Sequence, residues 1–148
     1  MHLLQVQADE IRVKAVGGIY WLACALEVRS RLWLGGIVSE SRDRELIRCV
    51  LMRVRECGSV SKVLLVTDGL ASYAKQALHV FREPLRTGKR GRPRLVLPGG
   101  VMVARIKKRY QRRRVVEVVR KIVRGTEAAV HSRIEQTQRS AVALLNTA

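Results

Sequence analysis

Two carboxylates constrain this chain more than any other feature: Asp9, in Val6-Gln7-Ala8-Asp9-Glu10-Ile11, and Asp68, closing Val63-Leu64-Leu65-Val66-Thr67-Asp68-Gly69. Both segments are apolar and β-branched enough to read as strands. A carboxylate in or at the end of a buried strand is costly unless it is paired or holds a cation. Two of them in one small domain point to a cation site. Spacing alone leaves a plainer reading open, in which Asp68-Gly69 is turn chemistry and Asp9 lies on an exposed strand face.

The chain has 148 residues, enough for one core plus an insertion. Lys and Arg number 29 against 12 acids, a formal charge of +17, which exceeds what solubility needs and points to a polyanion, most often nucleic acid. Aromatic residues are only 4%, so contact with backbone phosphates is favoured over base stacking. Cys24, Cys49 and Cys57 have no Cys-x-x-Cys spacing and His2, His79 and His131 are scattered, so neither a zinc site nor a disulfide framework is expected. The longest uncharged run, residues 15–26, is too short to span a bilayer, and the first residues do not resemble a secretory leader. A cytoplasmic protein in a reducing compartment, with no membrane partner, is the expectation.

Residues 3–16, 19–28 and 32–38 read as three strands joined by the short reversals Gly17-Gly18 and Arg29-Ser30, an antiparallel meander. The second should be covered on both faces, and Trp21 and Trp33 should be core residues. A helix follows, with Ser41 as cap, Asp43 and Glu45 at its positive end, Gly58 after its last turn, and Leu46, Ile47, Val50, Leu51 and Val54 on one face. Residues 63–67 form a fourth strand ending at Asp68, and 72–81 a second helix in which Ser72 caps and Tyr73 packs. Residues 82–124 then carry sixteen Lys or Arg against Glu83 and Glu117, or +14 of the total charge. Two β-rich runs, 101–110 and 115–123, flank Gln111-Arg112-Arg113-Arg114 and suggest a basic hairpin. Thr126 caps a helix to about Gln136, and residues 141–145 suit a last short strand. The organisation is thus 1–81, first part of the core; 82–125, basic insertion or hairpin; 126–148, helix and last core strand.

This β-β-β-α-β-α order, with acids on the first strand and at the end of the fourth, matches the ribonuclease-H-like layout: a mixed α/β fold with a five-stranded sheet whose first three strands form the meander. Together with Gln7-Ala8-Asp9-Glu10, Arg31-Leu32-Trp33-Leu34-Gly35, Ser41-Arg42-Asp43-Arg44 and Thr67-Asp68-Gly69-Leu70-Ala71-Ser72-Tyr73, the chain resembles the catalytic domain of bacterial insertion-sequence transposases of the DDE superfamily. The likeness is strongest over residues 4–73 and resumes at 145–148. No single string is specific; their order and separation carry the match. The resemblance implies that Asp9 and Asp68 are catalytic and hold Mg2+ or Mn2+, that transposon ends and target DNA are the partners, and that a homo-oligomer is compatible with the chemistry. The first and fourth strands of such a fold are neighbours, so acids 59 positions apart can converge. Glu10, next along the strand, should point to the opposite face.

Such enzymes carry a third acid, a glutamate in an aromatic-apolar-Glu-Arg string that follows Asn-Thr-Ala. Here Asn146-Thr147-Ala148 closes the sequence. Of the later acids, Glu83, Glu117, Glu127 and Glu135, none has the family's local context; Glu135 is the least implausible substitute. With the helix-turn-helix region of the relatives also missing, the expectation is a truncated core that binds DNA and cuts it little or not at all. Alternatives are a non-enzymatic nucleic-acid binder, with structural aspartates, and a ribonuclease-H-like nuclease or resolvase.

Within the basic stretch, Lys89, Arg90, Arg92 and Arg94 surround an Arg-Gly-Arg-Pro core like that of minor-groove hooks, although four residues in so arginine-rich a chain also fit a loop touching phosphates. Lys107, Lys108, Arg109, Arg112, Arg113 and Arg114 cluster at the hairpin tip, suited to contacts that release counterions without reading sequence. The plain alternative for both groups is solvated charge. Affinity for DNA should therefore fall steeply as salt rises from low to physiological concentration; a flat dependence in a binding titration would refute the basic-arm reading.

Overall fold

The computed structural model describes residues 1–68 and 71–146. Its frame is a mixed sheet of six strands in the order β3-β2-β1-β4-β7-β8. The first three, β1 (Gln5–Ala15), β2 (Gly18–Glu27) and β3 (Leu32–Ser39), form the expected antiparallel meander. Helix α1 (Arg44–Cys57) crosses back to β4 (Leu64–Asp68), which lies parallel to β1, and α2 (Ala71–Val80) follows. A two-stranded excursion, β5 (Glu83–Leu85) with β6 (Arg94–Val96), precedes β7 (Met102–Gln111), β8 (Arg114–Arg124) and α3 (Glu127–Asn146).

The sheet has six strands where sequence suggested five, and the residues of its far half differ. The place beside β4 is taken by β7, parallel to it, with β8 outside in an antiparallel pair. Val103 and Ala104 are fully buried, so the start of the basic hairpin is core strand, and only its far half is an arm. Residues 141–145, expected as a strand, continue α3, which runs to Asn146. Ala141, Ala143, Leu144 and Leu145 are strong helix formers with no Gly or Pro among them, and a helix already under way needs no new nucleus.

Alternation along the strands sorts side chains to two faces. Val6, Ala8, Ala23, Leu65 and Val103 meet Leu46, Ile47, Val50, Leu51 and Val54 of α1 and Tyr73, Ala74, Ala77 and Val80 of α2 in the main core. Leu64, Val66, Met102 and Ala104 face the other way, onto Val130 of α3. The outer strands are less covered than expected. In β2 only Ala23, Ala25 and Glu27 are fully buried, and Trp33 is 56% exposed because β3 is the sheet edge and its inward residue there is Leu34. Trp21 does pack on the main core.

Helix caps account for local differences. Asp43, not Ser41, caps α1, accepting from the Leu46 amide at 3.0 Å. Gly58 follows that helix in an extended conformation; its need for glycine is space, since a Cβ there would lie 2.8 Å from the Met1 carbonyl oxygen. Thr126 caps α3 as expected, accepting from the Ala129 amide at 3.2 Å. Cys24, Cys49 and Cys57 are free thiols. Among the described residues no helix is long and apolar enough to cross a membrane.

Arg133 ties α3 to the sheet: its Nη1 donates to the carbonyl of Leu4, at 3.3 Å, and to that of Lys62, at the starts of β1 and β4. Charge-assisted hydrogen bonds are worth about 1.5–3 kcal/mol each, less with exposure. Arg133→Ala should lower unfolding free energy by about 2 kcal/mol in a denaturant titration; a change below about 0.5 kcal/mol would mean α3 is held by its apolar contacts alone.

Candidate active site

The parallel register of β1 and β4 matches Gln5 with Leu64, Val6 with Leu65, Gln7 with Val66 and Ala8 with Thr67, a constant offset of 59. One step further stand Asp9 and Asp68, at the same level. Side chains at one level of a parallel pair share a face, and both acids line one cleft of about 520 Å³ with Gln7, Val66, Ile106, Lys108 and Tyr110. The cleft exists because β4 stops at Asp68, whereas its neighbours continue, β1 to Ala15 and β7 to Gln111. Two hairpin arms thus project past the acids and leave a gap between them.

Electrostatics bear out the proximity. Partial burial pushes the Asp9 carboxyl up, and the charges of Asp68 and Glu10 push it further; the Glu10 amide, donating to Asp9 Oδ1 at 2.8 Å, and the Lys108 ammonium act against them. Cys24, the cross-strand partner of Asp9, has its thiol raised by burial and then by the same two acids, Asp9 and Glu10. Negative charge is therefore concentrated at this point of the sheet.

Glu10 turns to the opposite face, as alternation requires, and its side chain is 1% exposed. Its Oε1 accepts from Nε of Arg42 at 2.8 Å and from Nη2, and the Arg42 guanidinium lies 5.0 Å from the centre of the Trp21 ring. Beside it the Tyr73 phenol is raised beyond its ordinary value, first by burial and then by Glu10. Glu10 Oε2 and Tyr73 Oη are both buried, and no hydrogen bond of standard geometry reaches either. Sequence reading put Tyr73 in the packing, where it is, but missed Arg42; only knowing that Glu10 is buried would have demanded a cationic partner.

Among the described residues no further carboxylate is offered to the pair: Glu10 borders the cleft, but its carboxylate is held by Arg42. Glu135 is exposed on α3, 3.3 Å from Nε2 of His131 and 3.7 Å from Nη2 of Arg139, and is not part of the cleft wall. Glu117 faces Arg109 across the hairpin at 3.6 Å, and Glu83 lies in β5. Among the described residues there is no cluster of three or more His, Cys, Asp or Glu suited to a metal. The Asp68-Gly69 turn and the Asn146-Thr147-Ala148 string fall partly outside the described residues.

Of the basic candidates, Lys108 alone enters the carboxylate cleft. Register explains this: Asp68 is level with Ile106, and Lys108, two residues on, faces the same way. Lys107 and Arg109 face the other side. Arg112 and Arg113 form the turn, with φ of 48° and 65°. That left-handed geometry suits Asn-Gly, so two arginines here carry strain in exchange for charge at the tip. Arg114 begins the return strand. Lys89, Arg90 and Arg92 lie on the exposed loop between β5 and β6, Arg94 opens β6, and none of them lines the carboxylate cleft. Tyr110, 63% exposed in the cleft wall, was missed from sequence, because its face follows only from the hairpin register.

No protein-family model matches this chain, and no curated protein matches it. Among solved structures it is similar to endonuclease V of Bacillus subtilis, with 10% identity and a TM-score of 0.35 over 73% of this chain and 46% of that one. The chain therefore spans less than half the length of that structure.

The Asp9 shift has a sign that can be measured. Its folded-state pKa lies above the ordinary 3.8, so between the two values the folded state binds the extra proton. The contribution of Asp9 to stability is thus greatest below the unfolded pKa and declines as pH rises through the folded one. In chelator, Asp9→Asn should melt at a higher temperature than wild type near pH 7, and the gap should close towards pH 4. A lower melting temperature for the variant at neutral pH would show that the charge is compensated in the apo protein.

Proposed function

We propose that this chain is the catalytic core of a DDE-type DNA transposase, acting on phosphodiester bonds at the Asp9–Asp68 cleft. The observation that supports it is the common level of these acids on neighbouring parallel strands, in an open cleft between two projecting arms. Burial first, and then the Asp68 charge, push the Asp9 carboxyl up, and a hard divalent cation with oxygen ligands would relieve both. The donor set fits Mg2+ or Mn2+ through Asp9 and Asp68, although two carboxylates are fewer than a two-metal site uses. When bound, such an ion supplies Lewis-acid polarisation of a phosphoryl oxygen and a lowered pKa for bound water.

The remaining chemistry belongs to the chain. Lys108, next to Asp9, is suited to a non-bridging phosphate oxygen. The arginines of the hairpin tip would hold the backbone beyond it, fixing direction without reading bases. Glu10, buried against Arg42, keeps the strand from rotating and so keeps Asp9 in the cleft. A second reading, a nucleic-acid binder without catalysis, is favoured by one observation: among the described residues the only further acid bordering the cleft is Glu10, and its carboxylate is buried against Arg42 rather than offered to the cleft.

Divalent-metal titration separates the two. Mg2+ or Mn2+ should raise the melting temperature of wild type and change its tryptophan fluorescence, whereas Asp9→Ala and Asp68→Ala should not respond. Equal responses from all three proteins would remove the metal site and leave the binder. Nicking of plasmid DNA by the 148-residue chain should be weak or absent; robust Mg2+-dependent nicking, lost in Glu135→Gln, would identify Glu135 as the third acid.

A further inference from the structure

On the sheet face opposite the carboxylates, α1 and α2 enclose a second pocket of about 490 Å³. Arg44 and Arg48 line it from α1, and Ser72, Lys75, Gln76 and His79 from α2. We propose that this groove is a second nucleic-acid contact, holding the phosphodiester backbone of a strand whose reacting phosphate sits at Asp9 and Asp68. The identity of the polyanion rests on the function proposed above; the pocket's affinity for phosphate does not.

The lining contains neither a carboxylate nor an aliphatic side chain. Arg44 and Arg48 are one helical turn apart and form one ridge; Ser72, Lys75, Gln76 and His79 recur at three- and four-residue spacing and form the ridge that faces it. These ridges cannot drift apart, because the inner sides of both helices are buried: Leu46, Ile47, Val50, Leu51 and Val54 against Tyr73, Ala74, Ala77 and Val80. Arg48 is steadied by Glu45, with Nε and Nη2 donating at 3.0 and 2.8 Å, and the His79 ring lies against Nη2 of Arg82 at 2.9 Å. Neither Arg44 nor Lys75 forms an ion pair among the described residues. Arg48 is partly neutralised by Glu45, so Arg44 and Lys75 carry the groove's uncompensated charge, which an anion bound between the helices would offset.

Several features select a nucleic-acid strand. Four residues of helix, Arg44 to Arg48, cover about 6 Å, enough for consecutive phosphates of a strand that repeats every ~3.4 Å along its axis. Hydroxyl and amide groups from Ser72 and Gln76 suit phosphate oxygens as neutral donors. A membrane surface is disfavoured because Leu46, Ile47, Val50, Leu51 and Val54 of α1 face the core and Met52 is the one large apolar side chain of that helix left exposed, too little to insert. Ser72 lies in the first turn of α2, the helix that follows β4 and Asp68 in the chain.

The test is a salt titration of duplex DNA binding by the full chain, read by fluorescence anisotropy. Three proteins are compared: wild type, Arg44→Ala/Lys75→Ala, and Lys107→Ala/Arg112→Ala as a hairpin control. All four positions are on the surface, and circular dichroism checks that the fold is kept. Each phosphate contact contributes about 0.9 to the slope of log affinity against log salt, so the groove variant should lose about 1.8 from the wild-type slope. A wild-type slope in the groove variant overturns the assignment, whatever happens to affinity, and leaves the proposed function standing if the hairpin control weakens. Failure of wild type to bind DNA at low salt defeats both. Preferential retention on anionic-lipid vesicles over competing DNA, lost in the groove variant, would also overturn it by giving the pocket to a membrane.

Discussion

The parallel contact between β1 and β4 is the constraint on which everything else depends. Its offset of 59 residues puts Asp9 and Asp68 at one level, and a single-residue slip would undo more than that alignment. A slip by one exchanges every side chain between faces. Asp9 would enter the main core without a partner, Glu10 would leave Arg42, and Ala8 would give up its tightly packed place. The sequence Ala-Asp-Glu therefore locks its own register: a small residue and a paired acid on the inside, an acid between them on the outside. The carboxylate cleft inherits its precision from the core beneath it, because the Glu10–Arg42 contact and the cation–π contact to Trp21 close the same strand from behind.

How much of this could be seen in sequence depended on whether the signal was local. The first three strands, α1, β4 and α2 show alternation, continuous apolar runs or helical spacing within a few residues, and they stand where those patterns put them. What failed was long-range or competitive. Residues 141–145 suit a strand only if the preceding helix stops, and nothing in their composition stops it. The hairpin looked like an insertion because charge dominates its composition, yet Met102, Val103 and Ala104 are as buried as β4 itself. Hydrophobicity puts Trp33 in the core, but an edge strand has an outward face that hydrophobicity does not reveal. At the site, alternation alone turned Glu10 away from Asp9. Selecting Lys108 from a run of three cations required the β4–β7 register, with bulges in the hairpin that no local pattern encodes.

The basic stretch is three different physical objects. Residues 86–93 form an exposed loop between β5 and β6, with no strand of the main sheet beside it. The start of β7 is core; Arg105 stands level with Thr67 of β4, and the run Lys107, Lys108 and Arg109 begins past the end of β4. The turn is strained: Arg112 and Arg113 occupy left-handed backbone positions that Asn-Gly would fill at lower cost. Folding alone gives no reason for arginine at both positions. Charge at the most projecting point of an arm does.

A pair of carboxylates is a poor place for a phosphodiester, since both partners are anionic. In the proposed function that repulsion must be outweighed before chemistry begins, and the charge distribution is arranged to do so. Lys108 stands inside the cleft, the hairpin tip beyond it, and Arg44 and Lys75 on the far side of the sheet, so positive charge flanks the acids along more than one approach. Salt screens the acids and the cations alike, so the attraction rests on the cations around the cleft outnumbering the two acids within it. A cation held by Asp9 and Asp68 would then convert the one repulsive point on this path into an attractive one. The strongly basic balance of the chain and its two isolated acids are, on this reading, parts of a single electrostatic design, in which the surroundings attract the polyanion and the acids await the ion that makes them reactive.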